Sequence, residues 1–110
     1  MAVNPKQMIA NQTVGASTTT FYTVPANTIA RVNELLLCNT DTAARTVTVY
    51  FVPAAGTAAA ANTVIKDVVV AAGETRFFGL DQVLEAGGFV QAAADAASVV
   101  AVRMSGLEIV

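Results

Sequence analysis

The chain has 110 residues, enough for one domain around a single core and too few for two. Hydrophobic residues make up 55% and charged residues only 13%, where an ordinary soluble domain carries roughly 25% charged. Six basic and eight acidic side chains lie scattered along the sequence, which argues against attachment to nucleic acid or to an anionic membrane.

Histidine is absent, which removes the commonest general base and the commonest transition-metal ligand. Cys38 is the one cysteine, so no internal disulfide and no CxxC zinc pair exists. Residues Met1–Gln7 lack the basic and apolar regions of a secretory signal. No apolar run approaches the length needed to cross a bilayer. These features predict a soluble chain made in the cytoplasm, with neither nucleic acid nor membrane as a partner. So few ionised groups cover a small domain poorly, and Ala/Val/Thr surface is expected to meet other protein.

The hydrophobic period is two. Residues 1–17 are read as an N-terminal arm or edge strand, with Gln7–Thr13 as its strand-like part, and residues 18–110 as a β-sandwich domain. Thr18–Val24 is the next strand, and Pro25–Asn27 separates it from a longer one at Thr28–Asn39. In the long strand Ala30, Val32, Leu36 and Cys38 share one face, broken by Glu34, while Leu35 and Leu37 take the other. A strand apolar on both sides predicts a central position or a covered outer face. The polar turn Asn39–Ala44 leads into Arg45–Val52, where Val47, Val49 and Phe51 oppose Thr46, Thr48 and Tyr50. These two strands are expected to form a hairpin. Pro53 ends the second, since proline cannot donate to a ladder.

Ala54–Asn62 reads as a loop with room for one helical turn, because four consecutive alanines are too few to hold an isolated helix. Strand pattern returns at Thr63–Val70, with Val64, Val68 and Val70 on one face, and again at Thr75–Leu80. Asp81–Gly88 is read as a connection ending in a glycine pair, followed by a strand at Phe89–Ala94. The last strand, Ser98–Val110, alternates through Val100, Val102 and Met104, then changes phase after Gly106 to Leu107 and Ile109. A glycine at a phase change predicts a β-bulge. About eight short strands without a convincing helix predict an all-β, single-domain antiparallel sandwich of possible jelly-roll type.

No catalytic, cofactor-binding or metal-binding residues are predicted. Asp81 and Glu85 stand four apart, but a Ca²⁺ site wants more oxygen ligands than this stretch offers. They are read as a solvated turn. Ser17 and Thr18–Thr20 are hydroxyls without an activating base. Cys38, among Leu35–Leu37, is read as buried and inert. Gly87–Gly88 lacks the lysine of a phosphate cradle and is read as a turn. Phe21, Tyr22, Phe77 and Phe78 are read as core or subunit contacts rather than a stacking platform.

The order Tyr22-Thr23-Val24-Pro25-Ala26-Asn27, Leu36–Thr40, Val47–Val52, Ala71–Thr75, Val83–Gly87 and Ser105–Glu108 resembles small β-sandwich virion proteins of tailed bacteriophages. The resemblance spans residues 20 to 110 and implies a structural role on the capsid shell or in the neck or tail. A capsid decoration (cement) protein is the expected function. It would act as a homo-oligomer, a trimer or another symmetric assembly, on the major capsid protein or other virion proteins. Two alternatives stand beside it: a neck or tail component, and a carbohydrate or cell-surface binding module using Asn39–Thr42 and Asp81–Gly88.

Overall fold

The computed structural model describes all residues from Met1 to Val110. Eight strands follow one another: β1 (Val3–Thr13), β2 (Thr19–Thr23), β3 (Ile29–Asn39), β4 (Arg45–Val52), β5 (Thr63–Val70), β6 (Thr75–Leu84), β7 (Phe89–Ala94) and β8 (Val100–Ile109). A single 3-10 turn at Ala60–Asn62 fills the predicted loop between β4 and β5. The first sheet runs β1-β8-β3-β6 and the second β2-β7-β4-β5. β1 pairs with β8, β2 with β7, β3 with β6 and β4 with β5, all antiparallel. The chain is thus one long hairpin rolled into two layers, which is a jelly roll.

That topology corrects the expected hairpin of β3 with β4. The two strands lie in opposite sheets, because the turn between them crosses the sandwich. Asn39 anchors the crossing: its buried amide donates to the carbonyls of Ala43 (2.8 Å) and Val70 (3.0 Å) and accepts the Asp41 N–H. Asp41 in turn receives Arg45 Nε at 2.9 Å. The Arg45 hydrogen bond, then the Thr42 N–H, hold the Asp41 carboxyl below the usual carboxylate range.

Valines dominate the core, with Leu35, Leu37 and Met104 its largest fully buried members. Met8, Ile9 and Val14 enter it from β1 and the turn beyond. β1 begins at Val3, four residues ahead of the predicted Gln7; Pro5 is tolerated there because β1 is an edge strand. β6 continues to Leu84, past the predicted Leu80, by accommodating Asp81 at φ 49° in a bulge. β5 bulges similarly at Asp67, φ 46°, whose N–H is taken by the Thr48 hydroxyl. That shift brings Ile65, rather than Val64, into the buried set.

The expected bulge at Gly106 is not there. β8 keeps its alternation through Val100, Val102, Met104 and Gly106, and Glu108 follows on the inner face. The extra residues sit on its two neighbours instead, Met8 on β1 and Asn33 on β3. Gly106 is required by close approach: a Cβ there would lie 2.0 Å from the Arg31 carbonyl oxygen and 3.0 Å from the Met8 methyl.

Candidate interaction surface

The bulge at Asn33 decides which side chains of β3 face outward. A one-residue insertion exchanges the two faces beyond it. Ala30, Val32, Leu35 and Leu37 are therefore buried, while Ile29, Arg31, Glu34, Leu36 and Cys38 take the outer face. This corrects the face assignment read from simple alternation. Cys38 is consequently half-buried rather than buried.

The outer face of the first sheet is largely apolar. Val3, Ile109 and Ile29 are direct cross-strand partners in one row. Pro5, Leu107, Arg31 and Val83 form the next. Val3, Ile29 and Val83 are 51%, 47% and 61% exposed. Farther along, Arg103, Leu36 and Phe77 are aligned, and Phe77 is 64% exposed. Arg31 is tied to Asp81 at 2.6 Å, whereas Glu34 and Arg103 stand without an ion-pair partner in the chain. The second sheet differs. Its outer face carries hydrogen-bonded polar pairs, an exposed Thr20 with Gln91 (2.9 Å) and a buried Thr48 with Asp67 (3.0 Å), beside the exposed Val69. A sheet normally solvates its outer face; the first sheet, with Val3, Ile29, Phe77 and Val83 exposed against Val69 alone on the second, does so less.

Two of the molecule's concavities bear on its contacts. The first is a recess of about 240 Å³ on the outer face of the first sheet, rimmed by Gln7, Glu34, Arg103 and Ser105, with Ile9 and Met104 beneath. It lies where β1 and β3 both bulge beside β8. The second is a cleft of about 580 Å³ between the start of β5 and the end of β6, with Phe51, Val64 and Leu84 among its apolar walls and Gln82 and Glu85 among its polar ones.

The structure disperses the other residues singled out by sequence. Asp81 is engaged by Arg31, and Glu85 lies beyond the end of β6. No group of three or more Cys, Asp or Glu side chains is placed to hold a metal. The Thr19 hydroxyl donates to the Ser17 carbonyl, and Thr20 accepts from Gln91. Gly87, at φ 83°, makes the β6–β7 turn. Tyr22 is buried, Phe21 and Phe78 pack partly against the core, and Phe77 alone of the four projects into solvent. Asn39–Thr42 is occupied by its own turn and by the Thr40 hydroxyl bond to the Val99 carbonyl. The recess escaped sequence reading because it depends on two bulges in strands far apart in sequence.

No protein-family model and no curated protein sequence matches the chain. Among solved structures, it is similar to a chain in the structure of infectious bursal disease virus, Gx strain, with a TM-score of 0.53 and 13% identity. The match covers 98% of this chain and 33% of that one. A chain in the structure of the Gt strain matches with a TM-score of 0.40 and 12% identity, over 97% of this chain and 30% of that one. The present chain spans about a third of the length of these neighbours. What the Gx-strain likeness shows is the sandwich fold.

Proposed function

We propose that the chain is a non-enzymatic structural protein of a tailed-phage virion, a capsid decoration protein that binds the shell and its own copies. The observation that carries this reading is the outer face of the first sheet. The Val3–Ile109–Ile29 row and the neighbouring Leu107 and Val83 expose apolar surface that water covers poorly. A jelly roll with one such face is suited to repetitive assembly, where symmetric copies bury one another's patches. The likeness to a chain of a virus structure and the resemblance of residues 20–110 to phage virion proteins support the same reading. The absence of a histidine in the sequence and the engagement of Asp81 by Arg31 favour contact over chemistry. The test is to incubate purified shells lacking this protein with the chain and to image and sediment them. Decoration of the shell with added resistance to heat is expected. A chain that stays in the supernatant overturns the reading.

A carbohydrate or cell-surface binding module is the second reading. It is favoured by the cleft, which brings Gln82, Glu85 and Gly88 beside Phe51. Binding on a glycan array that Gln82→Ala abolishes would replace the first reading with this one.

A further inference from the structure

We propose that two copies of this chain pair through the first sheet, each seating Phe77 in the recess beside Ser105 of the other. The inference rests on the assembly reading above and names the neighbour that covers its apolar face. Knob and socket lie on one face and at one level. Leu36 on β3 has Phe77 on β6 as one cross-strand partner and Arg103 on β8 as the other. β6 and β8 each stand one strand spacing from β3, about 4.8 Å. A two-fold axis parallel to β3 therefore exchanges the position of Phe77 with that of the recess. Such an interface is self-complementary, as closed pairs require.

The chemistry of the socket matches a phenyl ring. The recess is about 240 Å³, apolar beneath at Ile9 and Met104, with the Arg103 guanidinium on its rim. Arg103 makes no ion pair within its own chain, which leaves it free to lie against an aromatic face. Glu34 also lacks an ion-pair partner and is a diagonal neighbour of Arg103. The axis sets the two Glu34 carboxylates facing one another, and the diagonal Arg103 guanidinium of each chain offsets their repulsion. The area suffices as well. The longer molecular extents are 46 and 26 Å, a face larger than the ~800 Å² each partner contributes to a standard interface. The same pairing covers the exposed Val3, Ile29 and Val83. The second sheet remains outward, toward other virion proteins.

Sedimentation velocity over a concentration series tests the pairing, with circular dichroism as the check on folding. The wild-type chain is expected to dimerise. Phe77→Ser and Ser105→Trp, one removing the knob and the other plugging the socket, should each weaken the dimer at least about tenfold. Both side chains are exposed, so both variants should fold. In a Cys38→Ala background, Phe77→Cys and Arg103→Cys chains mixed together should cross-link to each other, since the axis sets these two positions opposite one another. A wild-type monomer up to about 1 mM, or a dimer indifferent to both variants, overturns the proposal. A monomer that still coats shells overturns the pairing and leaves the decoration reading standing. A dimer with this cross-link that binds no shell does the reverse.

Discussion

The Tyr22 hydroxyl on β2 donates to Glu108 Oε2 on β8 at 2.5 Å, a hydrogen bond that joins one sheet of the sandwich to the other. Burial, reinforced by the carboxylate, pushes the Tyr22 hydroxyl well above the ordinary phenol range. Tyr22→Phe should cost about 1.5 kcal/mol, the lower end for a hydrogen bond to a charged group. The folded chain keeps this proton where the unfolded chain loses it, so stability falls as pH rises above about 10. The gap between wild type and Tyr22→Phe should be constant below that pH and narrow above it, as read by urea denaturation.

The close fit at Gly106 makes a second prediction. Its missing Cβ is met by the Arg31 backbone, which cannot rotate away as a flexible side chain would. Gly106→Ala should cost about 3 kcal/mol or more, at the upper end for overpacking. Thermal unfolding would show it, and a loss under about 1 kcal/mol would mean that β3 and β8 separate easily.

Asn39 satisfies three backbone groups at the point where β3 crosses to β4. Asn39→Ala strands the Val70 carbonyl in a buried place, and each orphaned polar group costs about 1–3 kcal/mol. Hydrogen exchange should then quicken in the 39–45 turn and at the end of β5 before it does so elsewhere.

Asp41 and Arg45 give an acid-side counterpart to Tyr22. The Asp41 carboxyl is held below its ordinary range, so its contribution is present above the unfolded carboxylate value, about 3.9, and is lost as pH falls through the folded one. Asp41→Asn should be less stable than wild type at neutral pH, with the difference vanishing in acid and shrinking in high salt.

Burial and assembly should separate cleanly by mutation. Leu37→Ala opens the core and should cost about 2–5 kcal/mol. Ile29→Ser alters a half-exposed residue and should change stability by under about 0.5 kcal/mol. Of the two, only Ile29→Ser should yield a well-folded chain impaired in self-association, scored by thermal unfolding beside sedimentation velocity.

The limits of β4, β5 and β7 could be read from local signals, set by Pro53, Thr63 and the Gly87–Gly88 turn, while the inward face of β5 could not, because its bulge at Asp67 breaks the alternation. Nor could the outward face of β3. Nothing in the sequence around Asn33 says that it is an extra residue; the insertion is defined only against β8. The same holds at Asp81, whose left-handed backbone lets β6 run on through residues that read as a connection. Gly106 carried a signal with two meanings, bulge or close approach, and the choice between them lay in Arg31 and Met8, far away along the chain. The apolar rows were half visible, since Leu107 and Ile109 broke phase, but their companions Val3 and Ile29 were joined to them only by strand pairing.

The paired bulges of β1 and β3 beside β8 bear on solubility as much as on docking. Fibrous cross-β stacking needs flat strands in unbroken register, and a layer buckled on both sides of its middle strand offers none. Pro5 and Lys6 guard the β1 edge in the same sense. A weakly charged, valine-rich sandwich is thereby kept from templating open-ended polymers.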